Sequence, residues 1–300
     1  MITVQRTRGA ALARAALAGN PSDGYGGAVL AVTLPTWRAQ ADAVSSPALR
    51  IEPANDLVAA TVARFAREHE PAALGTSLRW STSIPQRVGL GSSSALVIAV
   101  LRALCELHRV DLPPNDLAEL ALAVETEDMG IVAGLQDRVA QAYEGLTFME
   151  FGAARNGSGE PYEPLDPRLL PPLAIAWRAE AACHSGDAHA DLRTRHERGE
   201  PAVRKAMAAL AEAAREARDA LLGGELDRFG GCVDRTFDLR HELMPLDPLC
   251  VEMIRIARES GASANYTGSG GAIVATCSDH EHADEVAQAL ARTGCGVVRA

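Results

Sequence analysis

The stretch PQRVGLGSSSALVIAV, Pro85 to Val100, sets two glycines and three serines between a proline and an apolar run. The first amides of a helix have no partner within it, and the helix dipole places partial positive charge at that end. A glycine-rich turn running into such an end suits an anion, because glycine lets the backbone come close to phosphate oxygens. Gly89, Leu90 and Gly91 form the turn, and the hydroxyls of Ser92, Ser93 and Ser94 can cap the helix or reach a metal ion or a phosphate oxygen. The same residues also suit a plain serine-capped helix. Lys205 is the only lysine in the chain, and no GxxxxGK[ST] segment exists. Phosphate handling would therefore fall to backbone amides, arginine and metal.

Carboxylates follow downstream. ALAVETED carries Glu125, Glu127 and Asp128, and AGLQDRV carries Asp137, twelve positions after Glu125. Magnesium takes one or two carboxylates and completes its shell with phosphate oxygens and water. A carboxylate beside a hydroxyl can take its proton. Three acidic residues at a helix end can equally be a solvated face, and Asp137 can equally be a first-turn carboxylate favoured by the dipole. Upstream, LAGNPSDGYGG offers Asn20, Asp23 and Tyr25 to a hydroxylated ligand, although N-P-S-D-G is also an ideal turn sequence. Near the C-terminus, NYTGSGGAIVATC offers the amides of Gly268, Ser269, Gly270 and Gly271, or simply a tight entry into a strand. Arg14 lies five residues before Gly19, and alternation leaves open whether it faces the interior or solvent.

These residues need elements to hold them. Apolar runs predict strands over Ala11–Ala18 and Ala28–Leu34, with a dense turn cluster between. DLVAATVARFAREH predicts a helix over Asp56–His69 with Asp56 as its cap, and Ser77–Ile84 alternates like a strand. Ser94–His108 is apolar on most faces and predicts a buried helix, followed by a helix over Asn115–Glu127, a helical stretch in LQDRVAQAYEG and a strand in GLTFMEF. The Gly- and Pro-rich region Ala153–Pro172 is the boundary candidate, dividing residues 1–167 from 168–300. Beyond it, LAIAWRA predicts a strand, and helices are predicted over Pro201–Leu222, Glu225–Met244 and Pro248–Ser260. A glycine-rich turn then leads into a strand in GASANYTGSGGAIVATC, and DHEHADEVAQALARTG predicts a last helix. Strands and helices mix in an α+β layout.

Composition narrows the class. Three hundred residues with 47% hydrophobic and 23% charged content are ordinary for a globular chain. A formal net charge of −10 argues against a nucleic-acid platform and for a cytoplasmic protein. No run of eighteen uncharged apolar residues suggests a membrane span. The N-terminal MITVQRTRGAALARAALAGN is interrupted by Arg14 and reads as part of the fold rather than a signal peptide. Six scattered cysteines, none in CxxC, suggest reduced and mostly buried thiols, not a zinc site or redox pair.

The long pattern P-x-x-x-G-L-G-S-S-x-A at 85–95 resembles the second motif of the GHMP kinases, the superfamily of galactokinase, homoserine kinase, mevalonate kinase and phosphomevalonate kinase. LAGNPSDGYGG resembles the first motif and NYTGSGGAIVATC the third, in the expected order. GNPSDGYGG, GIVAGLQDRVAQAYEGLTFMEF, HSGDAHADLR, FDLR and the TGSGGA loop are together similar to the glucuronokinase branch, a likeness that spans most of the chain. The resemblance implies a two-domain α+β fold: an N-terminal nucleotide-binding domain, a C-terminal α/β sandwich of ferredoxin-like type, and an active site in the interdomain cleft. It implies ATP and Mg2+ as cofactors and a small-molecule sugar or sugar-acid acceptor, with D-glucuronate phosphorylated at its anomeric hydroxyl. Another sugar, a sugar acid or a small alcohol is the alternative acceptor, and a sugar and ATP sensor without turnover is the alternative class. No nucleic-acid or membrane partner is expected, and a monomer or homodimer is.

Carried over by position, Asp137 matches the catalytic aspartate, and Glu125 matches the metal-binding glutamate that would act with Ser93, with Glu127 competing for that role. Arg14 stands where mevalonate kinase-like members carry a lysine. Arginine keeps the charge but does not give up a proton, so its part would be electrostatic. Asp23 matches a carboxylate that holds sugar hydroxyls, with Asn20 and Tyr25 beside it, and Gly268, Ser269 and Gly270 match the third-motif loop. A uronic acid's carboxylate calls for arginine. Arg193, Arg195 and Arg240 are all offered, and His184 and His189 lie in the same region without the spacing of a metal motif.

Overall fold

The computed structural model describes residues 5–152, 161–181 and 185–300, the side chains of 185–190 excepted. Strand β1 (Arg6–Ala18) starts with alternating exposed and buried residues and ends in an unbroken buried run. Strand β2 (Ala28–Ser45) does the reverse. Alternation marks a face open to solvent, and a continuous run marks a strand covered on both faces. The two strands pair, and both run far beyond the short apolar cores that predict them.

Contacts divide the chain into two compact units, each assembled from separate segments. The first takes residues up to Ala13, Thr33–Ile84 and Gly91–Glu144. In it, Ala39–Ser45 of β2 pairs antiparallel with β4 (Thr76–Thr82), which pairs parallel with the short β3 (Arg50–Glu52). Its helices are α1 (Asp56–Glu68), α2 (Ser92–His108), α3 (Pro114–Ala123) and α4 (Gln136–Tyr143). Helix α2 buries every residue from Ser94 to Leu101, as an all-round apolar sequence demands. The cap of α1 is Asn55 and not Asp56: its side chain accepts from the Val58 amide at 3.0 Å. Asp56 instead sits in the first turn, where its charge suits the dipole. The predicted helix over Asn115–Glu127 is two pieces. Helix α3 stops at Ala123 and a π-helical turn covers Val124–Asp128. Arg64 clamps this turn onto α1, donating to Asp128 at 2.6 Å, to Glu127 at 2.7 Å and to Glu68 at 2.8 Å.

The second unit takes Arg14–Val32, Pro85–Leu90 and Gly145–Ala300. Here Ala28–Val32 of β2 pairs with β5 (Leu146–Glu150), which pairs with β6 (Tyr162–Leu165), all antiparallel. A second sheet holds β7 (Leu173–Trp177), β8 (Ser263–Tyr266), β9 (Ala272–Thr276) and β10 (Gly296–Arg299) in the order β10-β7-β9-β8. Counted along the chain that is 4-1-3-2 with every pair antiparallel, the ferredoxin-like order. Helices α5 (Ser185–Glu197), α6 (Pro201–Leu222), α7 (Leu226–Leu243), α8 (Pro248–Glu259) and α9 (His280–Ala291) complete the unit. Ala174, Ile273 and Ala275 of the sheet form one core with Phe237, Met253, Ile254, Val286 and Leu290 of α7, α8 and α9.

Within the boundary candidate, residues 153–160 lie outside the described residues, and β6 occupies part of the rest. Cys232, Cys250, Cys277 and Cys295 are buried free thiols and Cys105 is half-buried, while Cys183 lies outside the described residues. Among the described residues, no helix is long and apolar enough to cross a membrane.

Candidate active site

In the first unit, Gly91 precedes α2 with φ at 71°, in the left-handed region that favours glycine. The helix start carries no side-chain cap. Of the three serines, Ser94 is buried and turns back to the Gly91 carbonyl at 3.2 Å, so its hydroxyl serves the turn. The same carbonyl accepts from Gln141 Nε2 at 2.8 Å, which fixes the turn from α4. Ser93 is exposed, and its Oγ donates to Glu125 Oε1 at 2.5 Å.

Glu125 is fully buried within the π turn. Its second oxygen accepts from Arg138 through Nε at 2.7 Å and also through Nη2. Arg138 is itself 5% exposed and ties its remaining nitrogen to the Gly134 carbonyl at 2.8 Å. Glu125 meets Ser93, whereas Glu127 and Asp128 turn to Arg64. Burial pushes the Asp128 carboxyl up, and the Arg64 and Arg67 guanidinium groups more than offset this, holding it below the ordinary carboxylate range. Asp137 stands in the first turn of α4, with Oδ2 at 3.8 Å from Arg138 Nη1.

The donor set suits a hard cation. One hydroxyl and one carboxylate oxygen converge, the other carboxylate oxygen is held by arginine, and magnesium asks for few protein ligands. Arg138 was not foreseen, because no spacing rule links residue 138 to residue 125. Removing one member of a buried pair leaves the other charge stranded. Arg138→Met should therefore lower stability by about 3 to 5 kcal/mol, read from the midpoint of urea unfolding.

In the second unit, Arg14 is 3% exposed, which resolves the alternation in favour of the interior. Its Nη1 donates to the Gly89 carbonyl at 2.6 Å and to the Thr267 carbonyl at 2.8 Å. Thr267 Oγ1 also donates to the Gly89 carbonyl, at 2.9 Å. A Cβ on Gly89 would lie 2.8 Å from the Gly270 carbonyl oxygen, so the two glycine-rich segments touch backbone to backbone. Arg240 is buried and donates to the carbonyls of Gly268 at 2.7 Å and Ser269 at 3.3 Å, with its guanidinium 4.9 Å from the centre of the Tyr266 ring. The residue offered to a carboxylate thus shapes the loop that carries Gly268, Ser269 and Gly270.

Asn20 is buried, accepting from Asn265 Nδ2 at 3.1 Å and reaching the Tyr266 carbonyl at 3.5 Å, which ties the first motif to β8. Asp23 and Tyr25 lie on a short 3-10 turn and are partly exposed. The Tyr25 ring packs against His196 of α5, with centroids 4.5 Å apart. Burial pushes the Tyr25 hydroxyl pKa up, the Arg193 charge pulls against this, and Asp23 and Glu197 add to the rise. Arg195 pairs with Glu200 through two nitrogens, at 2.8 and 2.9 Å. His184 and the His189 side chain lie outside the described residues.

Comparison with known proteins places the chain in a family. The chain matches the models of the GHMP kinases N terminal domain over residues 56–145 and of the GHMP kinases C terminal domain over residues 201–294. It is 39% identical over 214 residues to the probable glucuronokinase 2 of Arabidopsis thaliana, a match covering 67% of this chain and 57% of that protein. Glucuronokinase 1 of the same plant is 38% identical over 213 residues, with the same coverage. The matched length is thus less than two thirds of those relatives. A D-glycero-alpha-D-manno-heptose 7-phosphate kinase of Campylobacter jejuni is 39% identical over 88 residues, 29% of this chain and 26% of that protein. Among solved structures, Lactococcus lactis galactokinase complexed with galactose superposes with a TM-score of 0.81 at 16% identity, covering 99% of this chain and 92% of that one. Streptococcus pneumoniae phosphomevalonate kinase in complex with phosphomevalonate and AMPPNP gives 0.77 at 17% identity over the whole of both chains. At such identity the superpositions show the fold alone. Models for both ends match in order on one chain with that fold, and the chain belongs to the GHMP kinase family.

Proposed function

We propose that the chain is an ATP-dependent sugar kinase whose acceptor is D-glucuronate, phosphorylated at the anomeric hydroxyl to glucuronate 1-phosphate. The observation that carries the chemistry is the Ser93–Glu125 contact at the uncapped start of α2. The likeness to the two plant glucuronokinases supports the acceptor. When bound, ATP supplies the transferable phosphoryl group and magnesium screens its charge. The chain's own residues do the rest. The amides from Gly89 through Ser94 hold phosphate oxygens at a helix mouth where no side chain competes. Ser93 and Glu125 hold the metal, and Arg138 keeps Glu125 in place. Asp137 accepts the proton of the acceptor hydroxyl. Arg14 contributes charge and holds Gly89 to the third-motif loop. Asn20, Asp23 and Tyr25 address the sugar hydroxyls together with the Gly268–Gly270 loop, and Arg240 acts by fixing that loop.

ADP release measured with ATP, magnesium and a panel of sugars tests this. Glucuronate should exceed glucose in kcat/KM by about 2 to 4 kcal/mol, roughly 30- to 900-fold, because a site built for a carboxylate leaves a guanidinium unpaired with the neutral sugar. Equal values for the two would remove the uronate and leave the kinase. Binding of sugar and ATP with no acceptor-dependent turnover would make the chain a sensor.

A further inference from the structure

Three arginines are offered to an acceptor carboxylate, and the structure separates them. Arg195 is held by Glu200 through two nitrogens and reaches the Leu243 carbonyl at 3.1 Å. Arg240 is buried on the carbonyls of Gly268 and Ser269. Arg193 is exposed, and among the described residues it has no hydrogen bond or ion pair. In this unit Arg195, Arg215, Arg218 and Arg258 each hold a carboxylate, and of the three arginines offered to an acceptor carboxylate only Arg193 keeps its guanidinium open.

Its position gives the bare guanidinium a direction. Residues three apart share a helix face, so on α5 Arg193 lies one turn before His196. The His196 ring packs on Tyr25 of the first-motif turn, and Leu192 and Tyr25 belong to one apolar cluster with Val203, Met207 and Leu243. Helix α5 is thereby seated against that turn through Leu192 and His196, and the exposed Arg193 flanks that packed face. The charge of Arg193 is felt at the Tyr25 hydroxyl, where it works against burial. A phenol and a carboxylate on the turn, with an open guanidinium on the helix packed against it, suit an acceptor with both hydroxyls and a carboxylate. Asp23 and Tyr25 would address the hydroxyls and the guanidinium fork the carboxylate.

We infer that Arg193 is the specificity-determining residue that binds the carboxylate of the acceptor, with Tyr25 and Asp23 beside it; this rests on the acceptor reading proposed above. The test compares wild type, Arg193→Ala and Arg193→Lys on glucuronate, on its neutral carboxamide and on glucose, with melting temperatures recorded for each protein. Arg193→Ala should lower kcat/KM for glucuronate by about 10²-fold, chiefly through KM. Values for the carboxamide and glucose should stay within about threefold, and KM for ATP should not change. Arg193→Lys should recover part of the loss, since it keeps the charge without the fork. Calorimetric titration with glucuronate should weaken by the same factor. A wild-type preference for glucuronate that survives in Arg193→Ala overturns this inference and leaves the acceptor reading intact. An equal loss on all three sugars also overturns it, because it marks a general structural effect. A wild type that does not prefer glucuronate to glucose overturns the acceptor reading and this inference with it.

Discussion

Asp137→Asn should lower kcat by about 10² to 10⁴ while ATP still binds and the melting temperature stays near that of the wild type. Asparagine keeps the size of the side chain and can still hydrogen-bond an acceptor hydroxyl, but it cannot take the proton. If Asp137 acts mainly in the transition state, KM for the sugar changes little. The location makes a purely structural role testable as well, because Asp137 lies in the first turn of α4, where a negative charge complements the helix dipole. A dipole role alone predicts a loss on the order of 1 kcal/mol in stability with turnover near normal. The two outcomes separate on one preparation when kcat and melting temperature are measured together. Arg138 does not confuse the result: its Nε and Nη2 remain on Glu125, and the 3.8 Å approach of its Nη1 to Asp137 is secondary. A folded Asp137→Asn protein that binds ATP and turns over at the wild-type rate removes Asp137 from the chemistry.

Much of the fold was legible because the strong elements carry strong patterns. Helix α2 is apolar on most faces and is buried without a break from Ser94 to Leu101, and α6 begins and ends where its Pro and Gly residues say it should. The elements that were missed carry little pattern. β3, β6 and β10 have three or four residues each and lie at sheet edges, where one side of the strand has no ladder to fill. Strand β8 has four residues and turns directly into the glycine loop, so only its partner β9 was predicted. Helix α5 is almost entirely polar, with Leu192 its one large aliphatic residue, and no apolar period announces it.

The candidate site could be read from the sequence as a set of residues but not as a set of contacts. Types and order marked Ser93, Glu125, Asp137 and the glycine turns, but the choice between Glu125 and Glu127 depended on helix phase. A π turn shifts that phase, turning Glu125 toward α2 and Glu127 toward Arg64, and nothing in VETED signals it. Arg138 and Glu125 are likewise partners only because α4 folds back beside the π turn, and Arg14 is interior only because β1 changes from half-covered to fully covered midway. These are tertiary facts, and local spacing does not contain them.

Gly91→Val should abolish ATP binding, with an expected loss of at least about 10²-fold by calorimetric titration. Two effects combine there. Gly91 sits at φ 71°, which a β-branched side chain does not adopt without strain, and its carbonyl must stay in place to receive Gln141 Nε2 and the Ala95 amide. A side chain at that point also stands at the mouth of α2, where phosphate oxygens need to approach bare amides. Strain alone is controlled by Gly224→Val, since Gly224 has φ at 70° with open space around its would-be Cβ, in the turn between α6 and α7. That variant should lose stability and keep its ATP affinity. Lys205→Ala is the chemical control. Lys205 is the chain's only lysine and lies exposed on α6, so ATP affinity should not change when it is removed. Loss of ATP binding in Lys205→Ala, or its retention in a folded Gly91→Val protein, would place the phosphates somewhere other than the mouth of α2.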